Sequence, residues 1–467
     1  MKINLFGPTS QQRSLPFNAE RSVNLFAISD PNGKEGAAFY GTPGTSLFSS
    51  GGSGPVRAMF TTAGGRCFFV SALGLYEVTS LGVSTLRGTL TGSTTSICSI
   101  AENGLQLAIC NGTSVFILTM ATNVFAAVTD VDLPTSGTIS FIDGYFIVNK
   151  VGTGQFNISA LYDGFTWGAL DFATAESSPD TLLRVQNAFG QLWLFGDKTS
   201  EIWTNTGDST FPFQRIAGAK IDTGILAAHT AVVVDNSILW LGRDDIGSGI
   251  VYRAVGYTPK RISTEPIELI ISRATDQSNI RAFTYQQDGH VFYVLTAGGL
   301  PTTLVYDLTT QLWHERAFLE PDGTYGLHVA NCCTFGFGFI LVGDRRNGNI
   351  YKLSMDVYSD NGDAILRERI LTHISNENSP TRYNSLEIGM ETGVSLTSGQ
   401  GSNALIMLQL SKDGARTWSD TYTAPIGALG KYTTTVRFRR LGIADMMTFR
   451  IKISDPIKVA LTGAYLL

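Results

Sequence analysis

Between residues 56 and 360 the chain repeats one arrangement of apolar and polar positions. Each unit has an apolar strand, a tight polar turn, a second strand that is almost entirely apolar, a looser turn, and a third strand carrying one aromatic residue. Turns such as Asn103-Gly104 and Asp288-Gly289 accept the positive φ of a two-residue hairpin, so consecutive strands are expected to pair antiparallel. The second strands of seven units fall at 67–70, 105–110, 145–149, 192–195, 238–241, 291–295 and 339–342.

The aromatic residues of the third strands follow one another at intervals of 40 to 54 residues, close to the period of a four-stranded propeller blade. Small sheets with two apolar faces cover one another when they pack radially. The pattern therefore predicts a β-propeller over residues 56–360, with seven blades favoured. Six blades are the alternative if the first or last unit belongs to a neighbouring domain, and two stacked β-sandwiches would produce much of the same pattern. The aromatic residues are Tyr76, Phe116, Phe156, Trp203, Tyr252, Tyr306 and Tyr351.

The segments on either side of the repeats have different patterns. Residues 1–55 show little periodicity but contain turn sequences such as Asp30-Pro31-Asn32-Gly33 and Gly41-Thr42-Pro43-Gly44, which indicates an extended N-terminal arm. From residue 361 to residue 467 the strands are longer and alternate more cleanly, which predicts a small C-terminal β-sandwich. The whole chain is thus expected to be all-β.

Composition supports a folded protein and limits its partners. Hydrophobic residues make up 43% of the 467 residues and charged residues 16%, and 50 glycines favour short strands and turns over long helices. The net charge of −5 argues against a surface that clamps duplex DNA. The charge is unevenly distributed along the chain, with −8 over residues 1–360 and +3 over residues 361–467. Without an apolar run near the roughly 18 residues of a membrane span, we expect a soluble chain with no membrane segment.

The sequence contains no motif of a known catalytic or cofactor site. It has no phosphate-binding loop, nucleophile elbow or zinc-binding H-E-x-x-H, so we expect no catalytic residues, no metal and no cofactor, and a protein that is not an enzyme. Five isolated histidines are expected to be structural. Five cysteines without C-x-x-C spacing are expected to be buried free thiols: Cys67, Cys98, Cys110, Cys332 and Cys333.

Two acidic turns are candidate sites. Asp244-Asp245 precedes a Gly-rich stretch, but it lacks the ligand pattern of a calcium loop, which favours a solvated hairpin turn. The segment from Ser411 to Trp418 is similar to the Asp-box hairpin of sialidase-like propellers, with its glycine displaced by one position. Because it occurs once and outside the propeller units, a hairpin stabilised by Asp413 and Trp418 is the favoured interpretation.

The densest basic run is Arg437-Phe438-Arg439-Arg440. In an alternating strand, Arg437 and Arg439 would share one face, which is suited to acidic protein or to a phosphate backbone. A solvated or inter-subunit face is the commoner explanation for three cations on an acidic chain. Arg437, Arg439 and Arg440 are therefore the interface candidates.

The order of several short motifs resembles that of the packaged-DNA stabilisation proteins of short-tailed bacteriophages (podoviruses). These motifs are the segments 21–26 and 41–44, then 411–419, and finally Arg439-Arg440-Leu441-Gly442. The resemblance implies a structural virion protein of the tail, assembled in the host cytoplasm after packaging. It would form a hub or nozzle, in a ring that is expected to be hexameric.

The same resemblance implies partners. The ring would contact the portal-adaptor proteins above and the tail spike and needle proteins below, extend the DNA channel, close it, and touch the genome transiently and non-specifically until ejection. The alternative is a carbohydrate-binding or glycan-cleaving propeller that acts on host surfaces. A generic scaffold propeller is a third interpretation.

Overall fold

The computed structural model describes residues 1–29, 36–175, 178–377 and 379–467, so the predicted turn at Asp30-Pro31-Asn32-Gly33 lies outside the described residues. The N-terminal segment supplies five strands, in keeping with its apolar residues between turns. They are β1 (Lys2–Ile3), β2 (Arg21–Val23), β3 (Leu25–Ser29), β4 (Ala37–Gly41) and β5 (Gly44–Ser49).

Residues 56–221 form four antiparallel sheets of four consecutive strands each. Predicted hairpin turns connect consecutive strands within these sheets. In the third sheet, for example, Asp143 and Gly144 lie between the first two strands, and both have positive φ. The sheets are β6 (Val56–Thr61), β7 (Cys67–Ser71), β8 (Gly74–Val78) and β9 (Ser84–Thr89); β10 (Ser99–Glu102), β11 (Gln106–Cys110), β12 (Val115–Thr119) and β13 (Val124–Ala127); β14 (Ser136–Ile142), β15 (Tyr145–Lys150), β16 (Gln155–Ala160) and β17 (Asp163–Thr174); and β18 (Leu182–Ala188), β19 (Gln191–Gly196), β20 (Ser200–Asn205) and β21 (Phe213–Ile221).

The fifth and sixth sheets are joined by the one α-helix of the described residues, α1 (Glu265–Ser272), which has Pro266 in its first turn and buries Ile267 and Ile271. Short 3-10 helices lie at Ala228–Thr230 and Gln277–Asn279. The strands are β22 (Gly224–Ile225), β23 (Val232–Val234), β24 (Ser237–Arg243), β25 (Ser248–Val255) and β26 (Thr258–Arg261) in the fifth sheet, and β27 (Ile280–Gln287), β28 (His290–Ala297), β29 (Thr303–Asp307), β30 (Leu312–Leu319) and β31 (Tyr325–Leu327) in the sixth.

The seventh sheet takes its fourth strand from the N-terminal segment. Its consecutive strands β32 (Ala330–Gly336), β33 (Phe339–Asp344) and β34 (Ile350–Ser354) are followed by β5, which pairs antiparallel with β34. The short strands β35 (Ser359–Asp360) and β36 (Asp363–Ala364) continue the sheet beyond β5. A strand from near the start of the chain therefore completes the last sheet.

The seven sheets form a closed ring, which confirms the predicted seven-bladed propeller. The inner strands of successive sheets are in contact, and β32 of the last blade contacts β6 of the first. The predicted second strands are β7, β11, β15, β19, β24, β28 and β33, and all are mostly buried, although β33 begins with the exposed Phe339. Radial packing buries both faces of these strands, so their apolar residues occupy the interfaces between blades.

The C-terminal part is the predicted β-sandwich. One sheet has the order β3-β4-β44-β39-β42, with β1 beside β44, and the other has the order β2-β37-β43-β40-β41, with β38 beside β43. Apolar residues from both sheets, such as Leu386, Phe438 and Phe449, fill the space between them. The strands are β37 (Arg367–Ile370), β38 (Ile374–Ser375), β39 (Thr381–Met390), β40 (Leu405–Ser411), β41 (Tyr422–Pro425), β42 (Val436–Ala444), β43 (Met446–Ile453) and β44 (Ala460–Leu466).

The described part of residues 1–55 is extended, but it does not stand apart from the two domains. β3 and β4 are sandwich strands, with Leu25 and Phe39 in the sandwich core, and β5 is a propeller strand. Each of these sheets would otherwise present an edge with unpaired backbone groups. The division at residues 55 and 361 thus follows the sequence pattern, whereas the folded units share the N-terminal segment.

Candidate functional site

Strand β2 joins the propeller to the sandwich. On one side it meets β30 of the sixth blade in a parallel contact between Val23 and Glu315, and on the other it pairs antiparallel with β37. The sixth blade and one sheet of the sandwich therefore form a continuous sheet of 11 strands. We refer to β2, β30 and β37 and the side chains that link them as the joint.

Asn24 fixes the backbone on both sides of the joint. It has a φ of 55°, in the left-handed region that asparagine tolerates better than most residues. Its side-chain nitrogen donates to the carbonyl oxygens of Ala317 and Leu366, each at 2.9 Å, and its side-chain oxygen accepts from the Ala317 N–H at 2.9 Å. One amide side chain thus bonds to the propeller and to the strand that enters the sandwich.

Buried ion pairs cross the same joint. Arg21 donates from Nε and Nη2 to the two carboxylate oxygens of Glu315, at 2.9 and 2.6 Å, and lies 3.8 Å from Glu368. Burial acts to lower the pKa of Arg21, but the carboxylates of Glu315 and Glu368 outweigh it and raise that pKa. Next to this group, the fully buried Arg369 contacts Glu20 and donates to the Leu5 carbonyl oxygen at 3.0 Å. The Arg21–Glu315 pair links the sixth blade to β2, and the Arg369–Glu20 pair links the segment before β2 to the sandwich strand β37.

The fold brings together histidines that are isolated in the sequence. His290 and His314 both pack against Phe26, with ring centroids 5.3 and 6.2 Å away, and His290 Nδ1 lies 2.7 Å from Asp307. Burial lowers the pKa of His314 to about 3. Local spacing in the sequence predicts single structural histidines, because the pairing of β28, β29 and β30 that groups them joins residues from separate strands.

The three interface candidates lie on β42, an edge strand of the sandwich. Arg437 and Arg439 are exposed and separated by the buried Phe438, as the alternation predicts. Arg440 is exposed as well, because its φ of 61° interrupts the alternation where the pairing with β39 shifts register. An edge strand carrying cations is protected against pairing with another edge.

Only one of the three arginines on this strand forms an ion pair with a carboxylate of the described residues. Arg437 donates from Nε and Nη2 to Glu387 Oε2, at 3.0 and 2.5 Å. In the described part of the chain no carboxylate forms an ion pair with Arg439 or Arg440. The sequence-based candidates therefore divide into one paired arginine and two that remain available to an acidic partner.

The hairpin after Ser411 is held by Asp413. Its Oδ1 accepts from Ser411 Oγ at 2.7 Å and from the Arg416 N–H at 3.0 Å, and its Oδ2 accepts from Thr417 Oγ1 at 2.6 Å. The bonds from Thr417 and Ser411 lower the pKa of Asp413 well below its ordinary value. A carboxylate with both oxygens engaged in its own turn is poorly placed to act as a general acid or base.

The other acidic turn has similar local bonding. Asp244 Oδ1 accepts from the N–H groups of Ile246 and Gly247, at 2.8 and 2.7 Å, and Asp245 pairs with Lys198 at 2.8 Å. The described residues include no group of three or more His, Cys, Asp or Glu side chains that could hold a metal ion. Asp244 therefore stabilises the turn itself, and Asp245 pairs with a lysine of the preceding blade.

All five cysteines are free thiols, but they are not equally buried. Cys67, Cys98 and Cys110 are buried, whereas Cys332 and Cys333, on the innermost strand of the seventh blade, are intermediate. Burial raises the pKa of Cys332 to about 12. The cysteines are thus protonated at neutral pH, although two are less covered than the sequence predicted.

Comparison with solved structures gave only distant likenesses. The chain is similar to the computationally designed Ika8 protein, with 12% identity over 66% of this chain and 99% of that chain and a TM-score of 0.39. It is similar to the N-terminal domain of Nup159, with 9% identity over 71% of this chain and 98% of that chain and a TM-score of 0.41. It is also similar to virginiamycin B lyase from Staphylococcus aureus, with 10% identity over 65% of this chain and 96% of that chain and a TM-score of 0.44. No curated protein matched. Among the described residues no helix is long and apolar enough to cross a membrane.

Protein-family models match nearly the whole chain. The model described as bacteriophage P22 Gp10, beta-propeller, matches residues 1–358, and the model described as bacteriophage P22 Gp10, beta-sandwich, matches residues 367–466. The first match begins before the repeats, in agreement with the part that the N-terminal strands play in both domains. The chain therefore belongs to the bacteriophage P22 Gp10 family of phage tail proteins.

Proposed function

We propose that this protein is a subunit of the tail hub, or nozzle, that continues the portal-adaptor channel, closes it after packaging and retains the genome. The observation that carries the proposal is the match of both family models, in the order propeller then sandwich, over residues 1–358 and 367–466. The expected setting is the virion tail, with assembly in the host cytoplasm.

The joint supports a mechanical role. A hub subunit has to carry load from one neighbour to another without a change in the angle between its domains. Continuous backbone pairing through β2, together with the Arg21–Glu315 pair, resists hinge motion at this point. Most connections between domains are smaller and more mobile.

The charge distribution supports closure by obstruction rather than by DNA binding. Residues 1–360 carry −8, so a bore lined by the propeller would repel the phosphate backbone. Contact with the genome is then transient and non-specific. Strong phosphate binding would also retard the duplex during ejection.

The proposed partners are further copies of the chain and the neighbouring tail proteins. We place a ring, hexameric by expectation, between the portal-adaptor proteins and the spike and needle proteins. Arg439 and Arg440 are the candidates for contact with an acidic surface of one of them, since both are exposed on an edge strand. Rigid propeller faces offer broad surfaces for the remaining contacts.

We also propose that the chain has no catalytic activity. The Asp413 carboxylate, which the glycan-cleaving alternative would use, is engaged with Ser411, Arg416 and Thr417. Hydrolysis of a host-surface glycan by the pure protein, lost in Asp413→Asn, would contradict this proposal. Asp245→Asn is the control, because that carboxylate lies in a solvated turn of another domain.

The test of genome retention uses particles made without the protein. They should package DNA normally and then lose it, which is measured as nuclease sensitivity of the encapsidated genome over time. Purified protein added to freshly filled heads should restore protection, with little effect of moderate salt. Normal retention without the protein would overturn the role in genome stabilisation.

A second experiment addresses the place of the ring. Electron microscopy of the protein mixed with portal-adaptor assemblies should reveal a ring docked coaxially below them. Rings that bind elsewhere, or monomers that never dock, would contradict the hub. Tight binding of free duplex DNA at physiological salt would contradict closure by obstruction.

A further inference from the structure

The propeller has a cavity at its centre, where the inner strands of the blades converge. Its volume is about 370 Å³, and it is partly open to solvent. Small-molecule sites in proteins occupy roughly 300–1,000 Å³, so this cavity lies within their range. It does not coincide with the joint or with the basic strand described above.

Three arginines from different blades line this cavity: Arg57 on β6, Arg184 on β18 and Arg281 on β27. Successive arginines are 127 and 97 residues apart in the chain, and each lies near the start of the inner strand of its blade. The described lining contains no aspartate or glutamate. Cations gathered at one place without carboxylates create a strong positive potential.

The guanidinium of Arg281 is incompletely satisfied. Its Nε and Nη1 are buried and have no hydrogen-bond partner, and the Nε of Arg184 is in the same condition. Burial lowers the pKa of Arg281, and the neighbouring Arg57 acts in the same direction. Buried donors without acceptors cost stability, so their presence in a folded protein calls for an explanation such as an ion or ligand.

The remaining polar groups of the cavity do not supply the missing negative charge. Each guanidinium nitrogen of Arg57 donates to a neutral oxygen of Ala72 or Ser96. Burial, followed by Arg184 and Arg281, lowers the pKa of His229 well below 6.5, so this imidazole is neutral at neutral pH. Its Nδ1 lies 3.4 Å from Arg184 Nη1 and leaves the charge of that arginine uncompensated.

We propose that the central cavity binds a small phosphate-class oxyanion through Arg281 and Arg184. Guanidinium groups match phosphate oxygens with two parallel hydrogen bonds, and several of them favour a multivalent anion over chloride or acetate. The narrow cavity admits a free phosphate compound and excludes a duplex. The site is separate from the proposed hub function, and failure of one would leave the other unaffected.

The experiment measures binding of inorganic pyrophosphate to the full-length protein by isothermal titration calorimetry, with ADP as a second probe. One pyrophosphate is expected to bind per chain, and its binding should raise the midpoint of thermal unfolding. Sodium chloride at matched ionic strength should not reproduce the increase. Binding of ADP as well would mean that the site accepts a phosphate attached to a nucleoside, and binding of pyrophosphate alone would mean a free anion.

The variants are Arg281→Gln and Arg184→Gln, which remove charge but retain polar side chains. Each should weaken pyrophosphate binding at least tenfold, whereas Arg215→Gln, on the exposed outer strand β21, should leave it unchanged. Without ligand, Arg281→Met should unfold at the same midpoint as the wild type or higher, because it removes buried donors that lack partners. A structural arginine would give a lower midpoint.

A measurement on the unmodified protein guards against variants that fail to fold. Residues of β27 and β32 line the same cavity, so bound pyrophosphate should slow the exchange of their backbone amide hydrogens with deuterium. Absence of saturable binding, binding that Arg281→Gln does not weaken, or equal loss in Arg215→Gln would each overturn the proposal. So would amide exchange in β27 and β32 that pyrophosphate leaves unchanged.

Discussion

The guanidinium of Arg21 and the carboxylate of Glu315, 294 residues apart in the chain, form a two-bond ion pair across the joint between the propeller and the sandwich. Glu315 is only 2% exposed and Arg21 22%. Removal of one partner from a buried pair leaves an uncompensated charge, whereas an exposed pair contributes little.

Arg21→Met should therefore lower the free energy of unfolding by about 3–5 kcal/mol. Urea unfolding measures the change, and Arg437→Met, which breaks the more exposed pair with Glu387, is the control, with an expected loss of about 0–1 kcal/mol. The double variant Arg21→Met/Glu315→Met should recover part of the loss. Equal effects of Arg21→Met and Arg437→Met would mean that the joint is not held by this pair.

Closure of the propeller by β5 gives a second prediction. This strand lies between β34 and β35, so a proline within it cannot keep the pairing on both sides. Ser46→Pro should destabilise the protein by about 1–3 kcal/mol through lost backbone bonds, measured as a lower urea midpoint. Ser46→Ala retains the N–H group and should behave like the wild type, and a Ser46→Pro variant of unchanged stability would show that closure does not depend on β5.

The third prediction concerns acid stability. His314 has a pKa of about 3 in the folded protein, against about 6.5 when it is unfolded, because it is buried. The unfolded chain binds more protons between these values, so the free energy of unfolding should fall as the pH falls below 6.5. Asp307 opposes the decrease in this pKa, while Arg316 and His290 add to it.

The variant His314→Phe removes this contribution. Over the range from pH 6 to pH 4, its free energy of unfolding should depend on pH less steeply than that of the wild type, by about 1.4 kcal/mol per pH unit. Above pH 7 the two profiles should run parallel, which serves as the internal control. Identical slopes at low pH would show that His314 is protonated in the folded state.

The basic strand supplies the fourth prediction, which rests on the proposed assembly. Arg439→Glu/Arg440→Glu should change stability by no more than about 0.5 kcal/mol, because both residues are exposed. It should nevertheless reduce incorporation into tail particles, measured by quantitative gel analysis of purified virions. Arg416→Glu/Lys431→Glu, at two other exposed positions of the sandwich, should be incorporated normally, and equal incorporation of both double variants would remove Arg439 and Arg440 as contact residues.

The features that could be predicted from the sequence are those that depend on residues close together in the chain. The aromatic residue of each third strand, from Tyr76 to Tyr351, and the hairpin turns define the blades, because each blade pairs neighbours in the chain. The alternation around Phe438 likewise placed Arg437 and Arg439 on the outer face.

The features that could not be predicted depend on residues distant in the chain. Nothing near Ser46 indicates that its strand pairs with Lys352, and nothing near Arg437 indicates Glu387 as its partner. Arg184 and Arg281 are unremarkable in sequence, since each is a single cation at the start of an apolar strand. Only the circular arrangement of the blades brings them to a common cavity.

The pairing of β5 with β34 has to wait until the ribosome has made most of the chain. About 300 residues separate the two strands. At roughly 5–20 residues per second, a ribosome needs about 15 to 60 s to synthesise these intervening residues. Throughout that interval the native partners of β5 have not been made. The nascent chain therefore carries a strand with unpaired edges for most of its translation, and such edges favour aggregation.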